Sequence, residues 1–169
     1  TIKVSFSKKK RTDKENKIFK IRNEIQNECI AFAKNEVGIY RLSIPTGGGK
    51  TLSGLSYALA FAKEHPGTER IFYIAPFISV IEQNVDVIKK AVGNDEWVLE
   101  HHSSVIRENE MDDKNVWTDF SWEEPFVCTT FVQFMNTLFS DKKQAIRRMH
   151  RLANSVIIID EVQAMPVKC

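Results

Sequence analysis

The chain has 169 residues, 43% of them hydrophobic, enough to build one globular domain or part of a larger one around a sizeable core. No apolar run is long enough to span a bilayer, and the charged N-terminus lacks the apolar segment of a secretory signal. Membrane and exported classes are set aside on those grounds, and a cytoplasmic setting is expected. The net charge of +2 hides a division, because residues 1–22 carry +7 and the remainder −5.

Thr1 stands where an initiator Met would, so the chain is expected to be processed or a fragment. Residues 1–14 read as a strand fragment, Ile2 to Phe6, running into a polar linker. The run Lys8-Lys9-Lys10-Arg11 fits a solvated linker, or an arm on nucleic acid. Asn16 to Lys34 is a predicted helix, with Ile18, Ile21, Ile25, Cys29 and Phe32 at spacings of three and four. Gly38 to Ile44 is a short apolar run and a predicted strand. Lys50 to Lys63 is a predicted helix with Leu52, Leu55, Leu59 and Ala62 on one face, ended by His65-Pro66-Gly67.

Arg70 to Ala75 is a predicted buried strand, Ile78 to Val92 a helix and Trp97 to Glu100 a short strand. Residues 103–124 are acidic and irregular, with Trp117, Phe120 and Trp122 interleaved. Phe126 to Thr129 reads as a strand, Phe131 to Phe139 and Lys142 to Leu152 as helices. Val156 to Ile159 reads as a fully apolar strand. Strands alternating with helices predict an α/β fold with a parallel sheet covered on both faces.

Two motifs carry chemistry. Thr46, Gly47, Gly48 and Gly49 lie between the expected strand and helix, with Lys50 and Thr51 directly behind. Such a turn can aim successive N–H groups at one anion, and the helix behind it adds its positive end. Lys50 then supplies a point charge for the outer phosphates, and Thr51 a hydroxyl for magnesium. The widest form of this phosphate-loop motif places glycine six residues before the lysine, and Ile44 sits there. The second motif is Asp160-Glu161 at the end of the strand VIII, where Asp160 would hold magnesium and Glu161 orient or deprotonate a water. An acidic cap on a following helix is the plainer alternative for this pair.

The three cysteines, Cys29, Cys128 and Cys169, are odd in number and far apart, which fits neither a disulfide framework nor a CxxC metal site. His101 and His102 are adjacent. Neighbours on a strand point to opposite faces, so an ordinary surface or core role is expected rather than metal ligation.

The stretches IRNEIQNEC, IPTGGGKT, YIAPFISVIEQN, CTTFVQFMNTLFS and IIIDEVQAMP together resemble the first RecA-like domain of a superfamily 2 helicase. The resemblance is nearest to the helicase part of the CRISPR-associated helicase-nucleases of type I interference systems. It implies a RecA-like fold, with residues 1–15 a basic linker and 16–169 a partial first motor domain. It implies ATP and magnesium, with Lys50, Asp160, Glu161 and Gln163 catalytic and Gln26, near Arg22, at the adenine. Pro76, Phe77, Thr129 and Thr130 would line a nucleic-acid track. A strand-terminating proline and helix-capping threonines explain those four equally well.

The implied partners are single-stranded DNA, a CRISPR RNA-guided surveillance complex, a second RecA-like domain and a separate His-Asp nuclease domain. No His-Asp dipeptide occurs in this chain, so no nuclease chemistry is expected in it. The alternatives are an RNA helicase, a restriction-type translocase, or a nucleotide-dependent switch that unwinds nothing. In such domains a further strand lies between the phosphate-loop strand and the Asp-Glu strand, and Cys169 precedes it. Residues 38–44 and 156–159 are therefore expected not to be ladder neighbours. A gap of about 10 Å, or a strand from elsewhere, would separate them, and the domain would be incompletely represented.

Overall fold

The computed structural model describes residues 12–103 and 121–164, in two compact units that divide after Pro66. The strand expected at Ile2 to Phe6, the basic run 8–11 and most of the acidic stretch lie outside the described residues.

The first unit holds two helices, α1 (Asp13–Phe32) and α2 (Lys50–Glu64). Helix α1 begins three residues before the expected Asn16. A capping box explains the start, since Thr12 accepts from the Glu15 N–H and Glu15 accepts from the Thr12 N–H at 2.7 Å. Residues 38–44, expected as a strand, form none. A strand needs a ladder partner for its backbone groups. Here Tyr40 folds back instead, donating to the Glu36 carbonyl at 2.5 Å and packing edge-on against Phe32.

The second unit is a four-stranded parallel sheet of β1 (Arg70–Ala75), β2 (Val98–His101), β3 (Phe126–Thr130) and β4 (Ser155–Ile159), in the order β2-β3-β1-β4. Between the strands run α3 (Ile78–Val92), α4 (Phe131–Phe139) and α5 (Lys143–Arg151). Phe72 and Ile74 of β1 point to the face where Leu99, Val127, Phe131, Phe134 and Trp122 form the core. Tyr73, between them, points to the opposite face and meets Asn84 of α3. Helices therefore cover both faces, as expected of the α/β pattern.

Trp122 is fully buried with φ of 53°, at the end of a stretch expected to be irregular. Strand β4 departs from its expected burial. Its partner in the sheet is β1, it forms an edge among the described strands, and Ile157 and Ile159 are about 40% exposed. None of the four strands is 38–44, so that segment and β4 are not ladder neighbours.

Candidate nucleotide and nucleic-acid sites

The phosphate loop of the first unit needs glycine at each of its three positions, for two different reasons. Gly47 and Gly49 have φ of 78° and 87°, in the left-handed region that side chains disfavour. Gly48 is ordinary in φ but crowded. A Cβ there would lie 2.3 Å from Ile44 Cγ2 and 2.9 Å from the Pro45 carbonyl oxygen. Gly49 caps α2, and Lys50 and Thr51 form its first turn, which contains no acidic residue. The positive end of the helix is therefore not offset by its own side chains. Space above Gly47 is open, with nothing within 4 Å of where a Cβ would be. These features fit a phosphate group.

Helix α1 braces this loop. Arg22 Nε and Nη2 both donate to the Gly47 carbonyl, at 2.9 and 2.5 Å. That carbonyl is thereby turned to the guanidinium. Gln26, one turn further on, donates from Nε2 to Ser56 Oγ of α2 at 2.6 Å. The residues implied for adenine thus lie beside the loop and hold α1 to α2.

The second motif lies in the other unit. Asp160 extends the β4 ladder by one bond, its N–H reaching the Ile74 carbonyl at 2.8 Å. Its carboxylate is held from two sides. Tyr73 donates its hydroxyl to Oδ2 at 2.5 Å, and the Glu161 N–H donates to Oδ1 at 2.9 Å. Asn84 in turn donates to the Tyr73 hydroxyl at 2.8 Å, fixing the rotor so that its proton faces Asp160. Glu161 has φ of 49°, a left-handed value rare for such a residue, and Gln163 Nε2 donates to Glu161 Oε2. Strained backbone of this kind concentrates at functional turns.

No cluster of three or more His, Cys, Asp or Glu side chains could hold a metal among the described residues. A paired carboxylate suits magnesium all the same, because that ion keeps waters and takes its remaining ligands from phosphates.

The strand registers place the remaining candidates. Ala75 pairs with Thr130, Ile74 with both Thr129 and Ile159, and His101 with Thr129. Pro76, Phe77, Thr129, Thr130 and Asp160 therefore share the C-terminal edge of the sheet, where parallel sheets bind ligands. Phe77 is 62% exposed there. The threonine hydroxyls are engaged within the fold. Thr130 accepts from the Gln133 N–H and caps α4, while Thr129 donates to the His101 carbonyl at 2.8 Å.

His101 and His102 are both buried and both have protein partners. His102 Nε2 lies 2.8 Å from Glu100 Oε1. His101 Nε2 accepts from Arg148 Nη1 at 3.3 Å, which leaves the proton on Nδ1, facing Thr129 Oγ1 at 3.4 Å. Burial, then the charge of Arg148, then His102, push the His101 pKa down to about 3.

Sequence reasoning did not single out Tyr73, Asn84 or Arg148. Tyr73 carried one usable signal, as a hydroxyl set in an otherwise apolar buried strand.

The DEAD/DEAH box helicase family matches residues 23–168. A protein of Haloferax volcanii, "CRISPR-associated nuclease/helicase Cas3", is 28% identical over 150 residues, covering 76% of this chain. The chain spans only 16% of that relative's length. With the parallel α/β sheet, the glycine loop opening α2 and an Asp-Glu pair at the sheet's C-terminal edge, the chain belongs to the DEAD/DEAH box helicase family.

Proposed function

We propose that this chain is the ATP-binding and ATP-hydrolysing part of a helicase or translocase that works on single-stranded DNA in CRISPR interference. The observation that carries the catalytic part is the Asp160 corner, where a buried tyrosine, locked by Asn84, aims its proton at a carboxylate beside a left-handed Glu161. The CRISPR setting is supported by the likeness to the Haloferax protein, whose name joins a nuclease to a helicase.

In this reading the N–H groups of residues 46–50 and the Lys50 ammonium bind the triphosphate. Thr51 and Asp160 hold magnesium, which when bound neutralises phosphate charge. Glu161 orients the attacking water and takes its proton, and Gln163 keeps the Glu161 carboxylate in place. Pro76, Phe77, Thr129 and Thr130 border the nucleic acid, with Phe77 exposed for stacking on a base. Residues 1–15 act as a basic linker and 16–169 as part of a first RecA-like domain. A second such domain, the His-Asp nuclease and the RNA-guided surveillance complex are partners of the full-length protein, in the cytoplasm. No helix among the described residues is long and apolar enough to cross a membrane.

The test is the ATPase rate of the full-length protein with and without nucleic acid. Single-stranded DNA should raise it more than RNA does, and Lys50→Ala should remove ATP binding measured by calorimetry. Stronger stimulation by RNA would favour an RNA helicase, indifference to both would favour a switch, and unchanged ATP affinity in Lys50→Ala would remove Lys50 from the site.

A further inference from the structure

A second polar cleft lies in the sheet-bearing unit, apart from the Asp160 corner. It has a volume of about 250 Å³ and lies between α4 and α5, lined by Gln133, Asn136, Ser140, Lys142, Gln144 and Arg148, with Ala145. A water occupies about 30 Å³ of liquid, so the cleft has room for a phosphate group with part of its hydration. Its lining carries two cationic side chains, several neutral hydrogen-bonding groups and no carboxylate.

Arg148 is the unusual member. It is only 8% exposed, yet no carboxylate pairs with it among the described residues, and its Nε has no hydrogen-bond partner. Its guanidinium stacks 5.3 Å from the Trp122 ring centroid and gives Nη1 to His101. Glu123, the neighbour of Trp122 in the chain, is committed instead to Arg151, one turn along α5 from Arg148, at 2.9 Å. A buried guanidinium with no carboxylate partner among the described residues is costly, and an arriving anion would offset that cost.

The surroundings suit an anion from outside. Gln133 and Asn136 lie one turn apart on α4 and so share a face, and Ser140, the extended residue that ends the helix, accepts from the Lys142 N–H at 3.3 Å. Helix α5 starts at Lys143 with no side-chain cap and no acid in its first turn, leaving its first N–H groups for a ligand. Its position is also informative. Arg148 is bonded to His101, the last residue of β2, whose register partner is Thr129. The cleft therefore continues the C-terminal edge that runs from Asp160 past Phe77 and the threonines.

We propose that this cleft binds a backbone phosphate of a single-stranded nucleic acid, with Lys142 and Arg148 as its charges and Gln133, Asn136 and Ser140 as its neutral partners. The identity of the ligand rests on the helicase reading, while the cleft's preference for a phosphate does not. Arg148, held by His101 and Trp122, fixes where that phosphate sits, and the exposed Lys142 closes over it.

The experiment measures the affinity of the full-length protein for a labelled oligothymidylate over a range of salt concentrations. Lys142→Ala, at an exposed position, should lower the salt slope by about 0.7 and weaken binding several-fold. Asn136→Asp is the sharper variant, because it places a carboxylate in the lining of the cleft that Arg148 shares. It should hold or raise the melting temperature while weakening oligonucleotide binding at least tenfold. Wild-type affinity and slope in both variants would overturn the inference and leave the helicase reading standing. A wild-type protein that hydrolyses ATP but binds no oligonucleotide would overturn both. Inorganic phosphate binding that disappears in the variants while oligonucleotide affinity stays unchanged would make this a small-anion site and overturn the nucleic-acid assignment.

Discussion

The phosphate loop and the Asp160 corner solve different problems with different materials. The loop is made of backbone, with two glycines in left-handed conformation and a third that no side chain could replace without moving Ile44 or Pro45. Apart from the Arg22 brace on the Gly47 carbonyl, its determinants lie within a few residues of one another. The corner is made of side chains brought from afar, with Tyr73 and Asp160 separated by 87 positions. A local device tolerates almost no change in its own residues and little depends on distant ones. An assembled device depends on every element that carries one of its parts.

The largest expected effect probes the corner. Glu161→Gln should leave ATP bound and slow its cleavage by about 10²–10⁴-fold, since only the proton-accepting group is lost. Hydrolysis near the wild-type rate would move the base elsewhere. Tyr73→Phe comes next. It removes one donor from a carboxylate, a bond worth about 1.5–3 kcal/mol, so the magnesium needed for half-maximal activity should rise roughly ten- to a hundredfold. Weaker manganese binding, read by calorimetry, should accompany it. Unchanged metal affinity would mean that the corner does not depend on its distant part.

Gly48→Ala tests the local device. Overpacking should cost about 1–3 kcal/mol of stability, and Ile44→Ala in the same chain should restore part of it. No restoration would place the clash at the Pro45 carbonyl instead.

The last effect concerns neither device and is spread over pH, so that each unit contributes only a part of it. His101 has a folded pKa of about 3, below its ordinary value of 6.5. Between those values the unfolded chain binds a proton that the folded chain does not. Stability should therefore fall as pH drops through that window, by up to about 1.4 kcal/mol per unit, and be independent of this group above it. His101→Gln should flatten the slope, as measured by denaturant unfolding across pH. Glutamine can still accept from Arg148 but does not titrate.

The same contrast explains what was legible beforehand. Arg70–Ala75, Ile78–Val92 and Phe131–Phe139 fell where periodicity and branched residues placed them, because their signals are local. The glycine run was legible for the same reason, since only a turn of special geometry keeps three residues without side chains. The strand expected at 38–44 was not realised, because apolar composition supplies a candidate strand but not its ladder partner. The edge position of β4 was hidden likewise, its residues reading as fully buried. Trp122 lay in an acidic, irregular stretch and still became the largest fully buried side chain among the described residues. Nothing near it in the chain signals the Phe72 ring 5.3 Å away. The partnerships of Arg22 with Gly47, and of Arg148 with His101, are equally products of tertiary structure.

The crowding at Gly48 has a consequence for genetics. A screen for loss-of-function alleles will register position 48 alongside position 50, although the first is excluded by the shape of the loop and the second by its charge. The two classes separate under second-site suppression. A smaller residue at Ile44 can relieve an alanine at 48, because the obstruction there is the 2.3 Å approach of Cγ2. No change in volume at a neighbouring position can return the charge missing from Lys50→Ala. Suppressor patterns can thus sort the alleles of this loop into those that deform it and those that disarm it.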